Sequence, residues 1–344
     1  MTPPTPGDYL RDFDEYRQRK DAERQAESAT ANRFSYVSID QLLDLPEPQH
    51  RFVLGDILPA AGSSLLIAKP KVGKSTLAQQ LAVAVARGGD FFGKEVRQGA
   101  VLYHAFEEQD TEVARAFRAA AVERGLPGYF HFGDAPEDRW EALRQAVDAY
   151  KPTLVIIDTL AYWMAIKDFN DYAQVGDALK PLHRFARTHD THVMAVHHQG
   201  KVGESPLGST ALSANVDTIM MLNDTEQGRT LETKQRYGDP LPKTLLSFDK
   251  ATRTLSLGGT IVEQNRRTLE QDIIAFIGRG AKTETDIRET LHCKAERLAS
   301  ALNEMVEGHI LNRTGRGARN SPFMYDVLPP FVEGEGGADD DYQF

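Results

Sequence analysis

Residues 63–82 read Ser-Ser-Leu-Leu-Ile-Ala-Lys-Pro-Lys-Val-Gly-Lys-Ser-Thr-Leu-Ala-Gln-Gln-Leu-Ala. The apolar run Ser64–Ala68 has the length and composition of a buried strand, and Ser75–Arg87 has the periodicity of an amphipathic helix. Between them lies a short lysine- and glycine-bearing turn. From Ala68 to Ser75 the spacing is that of a Walker A loop, with Ala68 in place of the first glycine. A methyl group is tolerated there wherever φ need not be positive. Such a loop, backed by a helix N-terminus, turns its backbone N–H groups toward phosphates. Lys74 then reaches the β- and γ-phosphates, and the Ser75 hydroxyl ligates Mg²⁺. The expected nucleotide-binding set is Ala68, Lys69, Pro70, Lys71, Val72, Gly73, Lys74, Ser75 and Thr76.

Outward from this loop, residues 50–258 alternate strand-like runs with amphipathic helices. The strands expected are Ala100–Phe106, Leu154–Asp158, His192–His197 and Thr218–Leu222, with a helix over Val175–Thr188. That rhythm predicts an α/β fold: a parallel sheet with helices on both faces. Close-spaced strands at Leu231–Arg236, Thr244–Asp249 and Thr254–Leu257 predict an antiparallel extension at its edge. Asp158 ends a buried strand, where a carboxylate lies beside the phosphate loop and suits the Walker B role, holding Mg²⁺ through water. Thr159 follows it, so the base is sought elsewhere. The strand ending near Phe106 runs into Glu107-Glu108. Glu107, first past the strand, is preferred for orienting the attacking water, with Glu108 as the alternative. A further strand ends in His197-His198, of which His197 is taken to face the γ-phosphate.

The stretches AKPKVGKST, HAFEEQ, LVIIDT, VMAVHHQGK, LGSTALSANVDTIMML and LETKQRYG together resemble the RecA-like ring ATPases. The closest likeness is to the RepA-type plasmid replicative helicases and the helicase domain of phage primase-helicases. It covers about residues 50–258. It implies a RecA-like core, a homohexameric ring with ATP sites between subunits, and single-stranded DNA in the central channel. Carried over by position, His197 matches the γ-phosphate-sensing histidine. Lys234 and Arg236 match a Lys-x-Arg pair that reaches the neighbouring subunit's site, with Arg236 as arginine finger. On an exposed edge strand both side chains would share a face. The KaiC- and RadA-like branches share this core without being replicative helicases.

Beyond the core, the Gly-rich loop Gln199–Ser209 carries Lys201 and Gly203 and would line a ring's pore. Residues 161–171 hold Tyr162, Trp163 and Phe169, expected to pack rather than stack on bases. From 266 to 328 the expected elements are helices Leu269–Ile277, Glu284–Leu291 and Ala295–Glu307, then strands Ile310–Arg313 and Phe323–Val327. Three helices and a two-stranded wing read as a winged-helix domain, with Arg313, Arg316 and Arg319 in the wing as DNA contacts. That segment holds ten bases and nine acids, so protein docking competes with duplex binding. Residues 1–49 read as a proline-tipped, charged arm, in part helical.

Of 344 residues, 41% are hydrophobic and 26% charged, which suits a globular chain and excludes a disordered one. A single cysteine, Cys293, excludes a disulfide framework and multi-cysteine metal sites. No apolar run approaches membrane-spanning length, so neither a membrane span nor a membrane partner is expected, and a cytoplasmic location is. The formal charge of −10 argues against coating nucleic acid by global electrostatics. Yet residues 331–344 hold five acids and no base, leaving −5 on residues 1–330. That tail, ending Asp-Asp-Asp-Tyr-Gln-Phe, reads either as a docking element for a replication partner or as a solubilising tail. Three functions compete: a ring helicase, a RecA-like DNA-binding ATPase that does not unwind, and a winged-helix regulator switched by ATP.

Overall fold

The computed structural model describes residues 36–47, 51–164, 172–198, 215–278, 280–318 and 320–328. Lys201, Gly203, Phe169, Arg319 and the acidic tail lie outside them. The chain divides into two units after Gln49. In the first, Ser38 caps a short helix, α1 (Ile39–Leu43), through a capping box with Gln41.

The second unit is built on a nine-stranded sheet. Its parallel part comprises β3 (Ser63–Ala68), β6 (Val101–Ala105), β7 (Gly128–Phe132), β8 (Leu154–Asp158), β9 (His192–His198) and β10 (Thr218–Thr225). The antiparallel strands β11 (Gly228–Gln235), β12 (Thr244–Phe248) and β13 (Leu255–Thr260) extend it, giving the order β13-β12-β11-β10-β3-β9-β8-β6-β7. The antiparallel extension therefore falls where the sequence placed it. The edge strand β7 and a separate four-stranded sheet from β1 (Phe52–Leu54), β2 (Leu58–Pro59), β4 (Gly89–Phe91) and β5 (Lys94–Val96) had no clear sequence signal. The strands of that second sheet have two or three residues each, too few to show a period, and their pairing Leu54↔Val96 is non-local.

Strand alternation splits the core between the two sheet faces. Val101, Tyr103, Leu154, Ile156, Met194 and Val196 pack with Leu77 and Leu81 of α2 (Lys74–Arg87). Leu102, Val155, Ile157, Val193 and Ala195 pack on the other face. There they meet Leu143 and Val147 of α4 (Arg139–Tyr150), and Leu179 and Leu182 of α6 (Tyr172–Thr188). The short α3 (Asp110–Ala119) follows β6, and α5 (Leu160–Trp163) follows β8. Trp163 is 2% exposed and sits edge-on to Trp140 at 5.6 Å, so it packs as expected, whereas Tyr162 is 57% exposed.

Residues 261–328 carry their own apolar core. The helices are α7 (Ile261–Ile277), α8 (Glu284–Leu291) and α9 (Ala295–Glu307). Leu269, Ile273, Ile287, Leu298 and Leu302 meet beneath a three-stranded sheet, β14 (Lys282–Thr283), β16 (Met324–Val327) and β15 (Leu311–Thr314). The sheet has one more strand than expected. Helix α7 starts eight residues earlier than expected because Thr260 and Glu263 form a capping box. No helix among the described residues is long and apolar enough to cross a membrane.

Candidate nucleotide site

The site begins where β3 ends. Ala68 is the last residue of that strand and does not have positive φ, so its methyl fits. The chain then turns sharply. Lys71 takes φ 66° and Gly73 takes φ 112°, a conformation that favours glycine. Gly73 is the N-cap of α2 and offers no side-chain cap, leaving the first N–H groups of the helix for a ligand. Lys69, Pro70 and Lys71 are exposed, and Val72 is tucked into the core. This is a cradle for an anion.

Lys74 is 5% exposed. Its Nζ donates to the Lys69 carbonyl at 3.3 Å and lies 3.1 Å from His198 Nδ1. Burial pulls its ammonium below the ordinary lysine range, and Asp158 and Glu107 push it back up. Asp158 is buried at the end of β8, hydrogen-bonded by the Tyr103 hydroxyl at 2.8 Å and by Ser75. Its burial raises the pKa of the carboxyl, and those two hydrogen bonds oppose the rise. Ser75 and Asp158 thus meet as a hydroxyl and a carboxylate, oxygen donors of the kind Mg²⁺ takes alongside phosphate and water. Among the described residues no cluster of three or more His, Cys, Asp or Glu could hold a metal by itself. The donor set fits a shared Mg²⁺ rather than a closed protein cage.

Glu107 faces the same place. Thr159 Oγ1 donates to its Oε1 at 2.8 Å, and His198 Nε2 lies 3.3 Å from its Oε2. A lysine ammonium has only donors, so His198 Nδ1 must accept and Nε2–H must donate to Glu107. Lys74, His198, Glu107 and Thr159 form one continuous chain. Glu108 points elsewhere, into the cleft between α2 and α3, where Gln79 Nε2 donates to it. Burial, and secondarily the Asp158 charge, raise its pKa to about 7. A carboxyl raised in the folded state contributes stability that is present below its ordinary pKa of 4.5 and lost as pH climbs to about 7. Glu108→Gln is therefore expected to flatten the fall of melting temperature between pH 5 and 7. Thermal melts of the two proteins across that range check it.

His197 and His198 are placed differently. His198 shares its face with Met194 and Val196, the face covered by α2. His197 shares the opposite face with Val193 and Ala195. It is 7% exposed, and burial takes its pKa down to about 4. The histidine at the loop lysine is His198.

Lys234 and Arg236 also need correction. β11 is not an edge strand, since it lies between β10 and β12. Its pairing with β12 is confined to Thr230 and Leu231, so Lys234 stays exposed. Arg236 follows the strand, with its Nη1 3.5 Å from Oδ1 of the buried Asp217. That carboxylate also accepts from Ser63 N at 3.0 Å and lies 3.3 Å from His183 Nδ1. Gln235 pairs with Thr218, which pairs with Ser64 at the start of β3. Arg236 thus sits at the end of the sheet opposite its own phosphate loop, with four residue steps of strand (about 13 Å) from Ser64 to Ala68.

In the C-terminal region, Arg313 Nη1 donates to Asn303 Oδ1 at 2.9 Å, and its guanidinium lies 4.8 Å from the Phe323 ring centroid. Arg316 is exposed on the β15–β16 connection.

A strand–loop–helix cradle with a desolvated lysine, a serine and a strand-end aspartate, on a parallel-rich sheet, defines a P-loop nucleotide-binding domain of RecA-like architecture. The sequence pattern of the AAA domain family matches residues 27–204, just over half of the chain, and the chain belongs to that family. No curated protein matches the chain by sequence. An ATPase domain is thereby shown, and with it a nucleotide-dependent function.

Proposed function

We propose that this chain is a Mg²⁺-dependent, ring-forming ATPase, a homohexamer that translocates on single-stranded DNA as a RepA-type replicative helicase. The observation that carries the ring is the placement of Arg236. It lies at the end of the sheet opposite its own phosphate loop, so a role in hydrolysis would be played at a neighbouring subunit's site. In this reading Glu107 orients the attacking water, and His198 and Thr159 hold its carboxylate in place. Lys74 neutralises charge on the β- and γ-phosphates, and Arg236 does so from the neighbour. Ser75 and Asp158 would hold Mg²⁺, which supplies further neutralisation of the phosphate oxygens.

The DNA-facing elements are the loop bearing Lys201 and Gly203 and a winged-helix domain over 266–328. The three helices and three-stranded sheet there support the second, with Arg313, Arg316 and Arg319 on its wing. The packing of Arg313 against Asn303 and Phe323 leaves Arg316 the better placed of the two described arginines for phosphate. The acidic tail is assigned to a replication partner, and the chain to the cytoplasm.

A forked duplex with single-stranded tails tests the reading. ATP-dependent strand displacement is expected. ATP hydrolysis stimulated by single-stranded DNA without displacement would favour a RecA-like ATPase that does not unwind. Sequence-specific duplex binding with slow turnover would favour the ATP-switched regulator.

A further inference from the structure

Strand β10 pairs with β3 up to Leu222↔Ala68 and then runs on past the end of β3. The next residues, Asn223–Thr225, turn back through Glu226 and Gln227 into β11, with Thr225 opposite Gly228. Gly228 takes φ 115° and closes the turn, and Thr225 Oγ1 donates to its carbonyl at 2.7 Å. The tip is also anchored from outside. Gln227 Nε2 donates to Asn265 Oδ1 on α7 at 2.6 Å. The hairpin is therefore a braced projection standing over the phosphate loop.

Arg229 is the residue this projection aims at the loop. A methyl group built on Gly73 would lie 3.6 Å from Arg229 Nη1. The guanidinium belongs to a half-buried residue. Asp224 is its cross-strand partner. Among the described residues neither Asp224 nor any other carboxylate forms an ion pair with it. Arg229 thus stands beside a loop that carries Lys69, Lys71 and Lys74. Asp158 and Glu107 act on Lys74, and a bound anion would offset the mutual repulsion of the cations on the loop and the hairpin. The ligand such a loop takes is a polyphosphate.

We propose that Arg229 is a further nucleotide-binding residue, a cation delivered in cis by the β10–β11 hairpin to the polyphosphate held on residues 68–76. The proposal rests on the reading of that loop as the nucleotide site. Its role differs from that of Arg236. Arg229 serves its own subunit's site and acts on binding of ADP as well as ATP, whereas Arg236 acts on the neighbour and on hydrolysis.

Calorimetric titration of the full chain with MgADP tests it. Arg229→Ala is expected to weaken binding about tenfold or more, as loss of a charge-assisted contact does. Arg229→Gln, which keeps most of the stem and removes the charge, is expected to show a similar loss, and Arg229→Lys to recover most of the affinity. Arg144→Ala removes a surface arginine paired on α4 with Glu141 and Asp148 and is expected to bind as the unaltered chain does. Thermal melts of each variant show that it is folded. Binding by both Arg229→Ala and Arg229→Gln within twofold of the unaltered chain would overturn the proposal while leaving the loop reading intact. Failure of the unaltered chain to bind MgADP, or equal binding by Lys74→Ala, would overturn the loop reading and the proposal with it.

Discussion

Lys74→Ala is expected to abolish ATP hydrolysis, with a loss of about 10³-fold or more. The size follows from what surrounds the side chain. The ammonium is buried, so its charge acts in a medium that screens it poorly. It donates toward the Lys69 carbonyl, across the loop, and toward His198, which in turn holds Glu107. In the proposed reading, removing it takes away the cation that would face the transferring phosphoryl group. It also leaves His198 Nδ1 without the donor that fixes its tautomer, loosening the base. Lys74→Arg is expected to be nearly as damaging, because a planar fork does not fit where a compact ammonium sits. Steady-state phosphate release checks both, and turnover above a tenth of the unaltered rate in Lys74→Ala would contradict the assignment.

Arg236→Ala is the second large effect. Hydrolysis is expected to fall by about 10³- to 10⁵-fold, the range for an arginine finger. MgADP binding is expected to stay within threefold, because the residue lies at the far end of the sheet from its own loop. The contact to Asp217 complicates the variant, since that buried carboxylate loses one of the cations around it. His183 and Arg187 remain near Asp217, at 3.3 and 4.0 Å, so the fold is expected to persist. Mixing the two inactive proteins separates a trans role from a local one. A subunit with intact Lys74 can then meet a neighbour with intact Arg236, and activity partly returns. A purely local role for Arg236 predicts no recovery.

Much of this was legible in residues 63–82 alone. The loop needs one strand, one turn and one helix start, all local, and local patterns are what a sequence displays. Asp158 was legible for the same reason, as the end of an apolar run. His198 was also within reach. Counting by twos from Met194 and Val196 puts His198, not His197, on the face that α2 covers. The resemblance pointed to His197, its neighbour on the opposite face. Thr260 and Glu263 spell a capping box that would have started α7 at its true end. Other features depend on non-local pairing. Nothing near Arg229 in the chain shows that Leu222 lies beside Ala68, and only that register lifts the hairpin over the loop. The Asp217 partner of Arg236 and the pairing of β12 beside β11 are tertiary in the same way. Glu108 was separable from Glu107 only once Gln79 was seen to hold it in the cleft beside α2.

The acidity that first argued against nucleic acid is concentrated in residues 331–344, so it sets no limit on a few contacts inside a pore. A pore would need a ring. Electron-microscope images of the full chain with Mg²⁺ and a slowly hydrolysed ATP analogue test that most directly. The account predicts closed six-fold rings with a central opening, in which each phosphate loop faces the Arg236 end of the next subunit. Monomers under those conditions, or rings that turn Arg236 away from the neighbouring loop, would contradict it.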